Sequence, residues 1–106
     1  MVRHDFDAEL WESAAMGAWV FVTVPADVSD DIRIESGPPT GFGSVRVEVT
    51  IGTTTWRTSV FPDKAEDAYI LPVKRAVRRA ERLEPGDVAG VSLLLLHEPR
   101  GRSPDA

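Results

Sequence analysis

Cationic and hydroxyl side chains recur along the middle of the chain in a pattern that suits an anionic ligand. Arginine holds a carboxylate or phosphate through a planar, bidentate guanidinium group, whereas lysine acts as a point charge. The predicted set, for a small anionic molecule or a partner protein segment, is Ser44, Arg46, Ser59, Lys64, Tyr69 and Lys74. The rings of Phe42, Phe61 and Tyr69 would add a stacking surface. The alternative interpretation is a solvated outer face of a sheet, on which Glu48 and Arg57 form an ion pair.

A second group of cations lies between residues 74 and 82. Apolar residues recur there at the spacing of one helical face, which predicts a helix over residues 73–83. These apolar residues are Val73, Ala76, Val77, Ala80 and Leu83. At about 100° per residue, the cations of the helix point away from that face into water. They are Arg75, Arg78, Arg79 and Arg82.

This basic helix has two interpretations. Its guanidinium groups could bind nucleic-acid phosphates, as in a regulator of transcription or RNA. We favour a solubilising face, because no helix-turn-helix accompanies the cations and the chain carries a net charge of −5.

Catalytic and metal-binding patterns are missing from the sequence. A metal site needs several converging ligands, and His4 and His97 lie near opposite ends of a chain without cysteine. Asp63 follows a proline and precedes Lys64, which is typical of a turn former rather than half of an acid–base pair. The serines of the predicted ligand-binding set have no histidine base near them in sequence. We therefore predict no enzymatic activity, no metal and no cofactor.

A two-residue turn at Gly52 and Thr53 positions the predicted ligand-binding residues. Glycine at the first position suits a type II′ hairpin, and the pairing follows by counting outward from the turn. The inward pairs are Val49–Trp56, Val47–Thr58 and Val45–Val60, and the outward pairs are Glu48–Arg57, Arg46–Ser59 and Ser44–Phe61. A slip of one residue would expose the three valines to water, so the alternation fixes the register.

Length and composition favour one small domain in a reducing compartment. A chain of 106 residues can bury a core without cross-links. Cysteine is absent, no apolar run approaches the roughly 18 residues of a membrane span, and the N-terminal residues do not resemble a signal peptide. We therefore expect a cytoplasmic protein with no membrane contact. We predict one β-barrel domain over residues 1–96 and a flexible tail over residues 97–106, which is rich in proline, glycine, arginine and serine.

The remaining segments predict a mainly β chain. Strands are expected over residues 6–11, 18–24, 68–71 and 88–96, and a short helix over residues 26–34. Pro25 and Pro72 each follow a strand and are expected to open a helix. This shared order indicates either a barrel of two similar halves or a coincidence. Trp11, Trp19 and Trp56 are expected in the core or at the barrel closure rather than in a ligand cage.

Several motifs resemble a bacterial family known as domain of unknown function 1905. The matching stretches are residues 41–45, 54–64, 69–77 and 86–87, together with 9–11 and 17–22. The most specific are Phe-Pro-Asp-Lys at 61–64 and Leu-Pro-Val-Lys at 71–74. The resemblance implies a six-stranded double-split β-barrel capped by two short helices, and no known activity. Related AbrB-like barrels bind DNA, usually as dimers, so the chain is expected to be a monomer or a homodimer.

Overall fold

Six strands and two α-helices alternate along the chain. The computed structural model describes residues 3–36 and 43–96. In chain order the elements are β1 (Arg3–Ser13), β2 (Trp19–Thr23), α1 (Ala26–Ser36), β3 (Val45–Ile51), β4 (Thr54–Asp63), β5 (Ala68–Pro72), α2 (Arg75–Glu81) and β6 (Val88–Leu95). One 3₁₀ turn, Ala14–Met16, connects β1 to β2.

The strands close into an antiparallel barrel in the order β1-β2-β5-β4-β3-β6, and β6 pairs with β1 to complete the ring. Alternate side chains along each strand point inward, as the period of two requires. The fully buried interior includes Leu10, Val22, Val47, Val49, Val60, Leu71 and Leu93. The predicted class, a mainly β six-stranded barrel with two short helices, is confirmed.

The predicted hairpin register is confirmed at every pair from Val45–Val60 to Ile51–Thr54. Gly52 has φ +60, and Thr53 is not among the residues with positive φ, as a type II′ turn requires. On the outer face, Arg57 Nε lies 3.3 Å from Glu48 Oε1, so the predicted ion pair is also present. Since Arg57 is largely exposed, the pair contributes at most about 1 kcal/mol to stability.

The barrel topology has an internal two-fold pattern. Exchanging β1, β2 and β3 with β4, β5 and β6 leaves all six strand pairings unchanged. Backbone hydrogen bonds follow the same exchange: Val24 N donates to Tyr69 O, and Val73 N donates to Val20 O, both at 2.9 Å. The interpretation of two similar halves therefore holds at the level of topology, but the prolines are not equivalent in the two halves: the same exchange matches Pro25 with Lys74 and Pro72 with Thr23.

The two helices differ from their predicted limits. Helix α1 starts directly after Pro25, as expected, and extends to Ser36. Pro72, by contrast, is the last residue of β5 and pairs with Phe21, so the expectation that it opens a helix is wrong. Helix α2 has only seven residues, and Lys74 precedes its first turn.

The predicted apolar face of α2 is also only partly correct. Val73 and Val77 are buried and Leu83 packs against the core, but Ala76 and Ala80 are exposed. The physical reason is the length of α2, since two turns bring a single buried position, Val77, onto the barrel. Predictions for Phe42, His97 and the tail over residues 97–106 lie outside the described residues.

Glu81 joins the end of α2 to the β3–β4 turn. Its carboxylate accepts a hydrogen bond from Thr54 Oγ1 at 2.6 Å and from Thr53 N and Oγ1 at 3.3 Å each. The hydrogen bond from the Thr54 hydroxyl is the main cause that holds the pKa of Glu81 below its usual value; desolvation opposes it, and the two hydrogen bonds from Thr53 add smaller lowering effects. The hairpin turn and α2 are thus held in a fixed relation.

We expect Gly52→Ala to destabilise the fold more than Gly17→Ala. Both glycines have positive φ, which costs a residue with a Cβ about 1–2 kcal/mol. A Cβ at Gly52 would also overlap the Glu81 carboxylate, whereas nothing lies within 4 Å of a Cβ at Gly17. Urea denaturation measures the difference. In a Glu81→Ala background the difference between the two substitutions should become smaller, and a difference that is unchanged there would contradict the proposed contact.

We expect Glu81→Gln to lower the stability at neutral pH and to have little effect in acid. Because the pKa of Glu81 is lowered in the folded state, its contribution is present above the pKa of the unfolded chain. It is lost as the pH falls through the folded-state pKa and the carboxylate becomes protonated. Urea midpoints of both proteins across this range provide the measurement. A difference that grows toward low pH would contradict the assignment.

Candidate anion-binding cleft

A cleft opens where β5 ends between its two neighbouring strands. Strand β5 pairs with β4 only from Phe61 to Asp63, so the other edge of residues 54–60 of β4 pairs with no strand of the described chain. Proline has no N–H to donate, so Pro72 cannot extend that ladder. The chain leaves the sheet toward α2, and a cleft of about 510 Å³ remains between β4, α2 and the start of β2.

Four cationic side chains line this cleft. Arg57 comes from β4, Lys74 and Arg75 come from the start of α2, and Arg78 lies one turn further along. Among the residues that the structure describes, no aspartate or glutamate belongs to the lining. Within residues 3–36 and 43–96, Lys74, Arg75 and Arg78 form no ion pair, so three of the four positive charges are uncompensated by a carboxylate there. The cleft is a positive site on a chain whose net charge is −5.

Arg78 does not point freely into water, which corrects the predicted outward orientation of all four α2 arginines. It is half-buried, and its Nε donates a hydrogen bond to the carbonyl oxygen of Val73 at 3.0 Å. Because α2 is short, this residue reaches back to the segment that joins β5 to the helix. The hydrogen bond fixes the side chain, and the terminal guanidinium nitrogens remain available for a ligand.

Two indole rings complete the cleft. Trp56 is half-buried and packs against the core, whereas Trp19 is 59% exposed. The Trp19 ring stacks on Phe21 with centroids 6.3 Å apart, and the centroid of the Trp11 ring lies 5.2 Å from that of the same Phe21. The expectation that Trp19 lies in the core is therefore wrong. Its neighbours on β2 point inward at even positions, which leaves Trp19 on the outer face.

The connection between β1 and β2 holds Trp19 in place. Gly17 and Ala18 both have left-handed backbone angles, with φ +66 and +68. Ala18 N donates to Ser13 O at 3.0 Å, which ties the connection to the end of β1. A non-glycine residue in this conformation costs of order 1–3 kcal/mol, and such strain is found preferentially at functional sites. Gly17 and Ala18 line the cleft.

The two-fold pattern explains why the cleft is open. In the equivalent place of the other half, α1 buries Val28, Ser29 and Ile32 against the barrel. Ser29 Oγ donates to Val24 O at 3.1 Å and accepts from Tyr69 N at 3.0 Å. Arg78 is the counterpart of Ser29, because the side chain of each donates a hydrogen bond to the backbone carbonyl oxygen five residues earlier, Val73 O for Arg78 and Val24 O for Ser29. The longer α1 fills its half, whereas α2, with one buried residue, leaves its half open.

The predicted ligand-binding residues do not all meet in one place. Lys74 lines the cleft, and Arg46 and Ser59 pair on the outer face of the β3–β4 hairpin. Tyr69 is buried in the core, and the Arg33 guanidinium lies 5.8 Å from its ring centroid. Exposed Ser44 precedes β3, and exposed Lys64 lies in the turn after β4. These five residues do not line the cleft.

The basic helix is divided in the same way. Arg75 and Arg78 line the cleft, but Arg79 and Arg82 do not. Sequence reasoning missed Trp19, Trp56 and Arg57 as cleft residues. These residues could have been found from the unequal lengths of the strands on either side of the 64–67 turn. Strand β4 has ten residues, whereas β5 has five and ends in proline, so part of β4 has no partner on that side.

Other candidate chemistry is not assembled in the described chain. The interpretation of Asp63 as a turn former is confirmed, because its Oδ1 accepts a hydrogen bond from Ala65 N at 3.2 Å. His4 Nε2 lies 3.2 Å from Glu35 Oε1, which joins β1 to α1. Across residues 3–36 and 43–96, no three histidine, aspartate or glutamate side chains are grouped to hold a metal ion. None of the helices in these two ranges has the length and apolar character to cross a membrane.

Comparison with known proteins identifies the family. The family model described as domain of unknown function (DUF1905) matches residues 6–93. This range covers most of the chain, so the protein belongs to that family, and the resemblance drawn from the sequence motifs is confirmed. No curated protein matches the chain significantly.

We expect iodide to quench Trp19 fluorescence more strongly than caesium does, with each ion's quenching constant taken relative to that for free N-acetyltryptophanamide, although the protein is acidic overall. The cations around Trp19 attract an anionic quencher and repel a cationic one at short range. Stern–Volmer plots of the native protein and of Trp19→Phe isolate this ring. The Lys74→Glu/Arg75→Glu variant should reverse the preference. Equal relative quenching by the two ions would show that the cleft carries no positive potential.

Proposed function

We propose that this protein is a small binding module that holds an anionic small molecule in the cleft between β2, β4 and α2. The observation that carries the proposal is the convergence of Arg57, Lys74, Arg75 and Arg78 on one concave site without a carboxylate in its lining. Arginine and lysine at such a site suit carboxylate or phosphate groups.

The dimensions of the cleft favour a small molecule. Its volume of about 510 Å³ falls within the roughly 300–1,000 Å³ that is usual for small-molecule sites. The lining supplies positive charge and ring surface, which supports a binding role rather than a catalytic one. The absence of cysteine from the sequence supports a place in the reducing cytoplasm.

A nucleic-acid regulator is the competing function. It would use the whole row of arginines on α2, whereas Arg79 and Arg82 lie outside the cleft lining. The net charge of −5 would repel a long polyanion from the rest of the surface. A protein segment is the other competitor, and it would leave the cleft unresponsive to small anions.

We expect the full chain to bind pyrophosphate, tripolyphosphate or citrate in a way that depends on the cleft. Isothermal titration calorimetry at low salt compares the native protein with Lys74→Ala/Arg75→Ala. Affinity should fall by about tenfold or more, because hydrogen bonds to charged groups contribute about 1.5–3 kcal/mol each. Arg46→Ala/Arg79→Ala is the matched control, since it also removes two cations but leaves the cleft intact.

Three results would contradict the proposal. The first is no binding of any of these anions by the native protein. The second is an equal loss of affinity in both double variants, which would reflect net charge alone. The third is tight retention of single-stranded or duplex nucleic acid that depends on Arg79, which would favour the regulator.

A further inference from the structure

We infer that the ligand is a nucleoside phosphate, with its base against the indole rings and its phosphates among the cations. This inference rests on the proposed function, since it names the class of anion that the same cleft binds. Three observations support the nucleoside phosphate: the number of positive charges in the cleft, the aromatic character of its apolar surface, and the position of both around one cavity.

The charge of the site calls for a ligand with more than one negative charge. Arg57 is already engaged with Glu48 at 3.3 Å, but Lys74, Arg75 and Arg78 have no acidic partner within the described residues. A monoanion would neutralise only one of these three charges and leave the others close together. A diphosphate offers several oxygens and a matching charge, and guanidinium groups bind such oxygens in pairs.

The apolar surface of the cleft is aromatic rather than aliphatic at its exposed edge. The Trp19 ring is 59% exposed, although a large apolar side chain gains free energy by burial. It is held by Phe21 beneath it and by the constrained backbone of Gly17 and Ala18, so the ring surface is in place before a ligand arrives. A flat heteroaromatic ring stacks on such a surface in any orientation, which an acyl chain or an inorganic anion cannot do.

Charge and ring surface come from different elements around one cavity. Strands β2 and β4 supply the indoles, and the start of α2 supplies Lys74, Arg75 and Arg78. A ligand that uses both must carry a planar ring and a polyanionic group in one compact molecule. Nucleoside phosphates meet this requirement, whereas citrate and pyrophosphate lack the ring and adenosine lacks the charge.

The test compares four probes on the full chain: ADP, AMP, adenosine and pyrophosphate, all in EDTA so that no metal ion contributes. We expect ADP to bind more tightly than AMP and much more tightly than adenosine. ADP should also exceed pyrophosphate by about fivefold or more, because stacking of a base on an aromatic ring contributes about that factor at least. Calorimetry gives the affinities, and quenching of indole fluorescence reports the stack.

Two matched variants separate the ring from the charge. Trp19→Ala should reduce ADP affinity to that of pyrophosphate while leaving pyrophosphate affinity unchanged. Phe61→Ala is the control, because Phe61 is also exposed, at 40%, and does not line the cleft. Trp19 and Phe61 both lie on the outside of the barrel, so neither substitution removes a buried core side chain, and circular dichroism verifies folding.

The outcomes distinguish the two levels of inference. If pyrophosphate binds as tightly as ADP and Trp19→Ala has no effect on ADP affinity, the assignment of the ligand as a nucleoside phosphate is wrong, and the proposed anion-binding function stands. If a benzene polycarboxylate binds more tightly than ADP, the phosphate class is wrong. If affinity for oligonucleotides rises steadily with their length beyond that for ADP, the ligand is a nucleic acid. If neither ADP nor pyrophosphate binds, this inference and the proposed function both fail.

Discussion

The register of the β3–β4 hairpin is the constraint on which the rest of the structure depends. Because side chains alternate along a strand, one pairing places Val47, Val49 and Val60 inside the barrel and Arg57 outside it. The extent of β4 beyond the end of β5 is set separately, by the pairing of Phe61 with Ile70 and by the end of β5 at Pro72. The hairpin turn is also where Glu81 fixes the end of α2. The core packing, the outer position of Arg57 and the attachment of α2 therefore all depend on the turn at Gly52.

The part of the fold that could be predicted is the part that short-range chemistry determines. Glycine at the first turn position and alternating valines define the hairpin, and Pro25 correctly marks the start of α1. The closed barrel was expected from the family resemblance rather than from alternation, since pairings such as β1 with β6 join residues far apart in sequence. The apolar spacing overestimated α2 because periodicity shows which residues can share a face and not how much of that face is covered.

The candidate site could be predicted only in part. The sequence marks Lys74, Arg75 and Arg78 as candidate binding cations, but places Lys74 in the predicted ligand-binding set and the two arginines on a separate basic helix. They meet Trp19 and Trp56 because β5 stops at Pro72 while β4 continues, and this difference in strand length becomes visible only when the pairing is known. The apolar character of Trp19 predicts a buried position, but the alternation of β2 places it on the outer face, where it stacks on Phe21 and stays exposed while Phe21 is buried.

Electrostatics gives the cleft a character distinct from that of the whole molecule. Exposed acids elsewhere keep the chain negative, and the cleft concentrates positive charge in a concave site with ring surfaces at its edge. Attraction of a small anion then acts mainly at short range, since charges separated by more than a Debye length of about 8 Å are largely screened at physiological salt. In the proposed function, this distribution would favour a compact ligand over a long polyanion.

The two-fold topology separates the residues that stabilise the fold from those that are free to diverge. One half is closed by α1, whose buried Ile32 and doubly bonded Ser29 tie that helix to the barrel. The other half is covered by a helix with a single buried residue, so most substitutions on α2 leave the core untouched. The side chains of this second helix can therefore be replaced at little cost in folding stability, whereas substitutions on the buried face of the first helix would disturb the core.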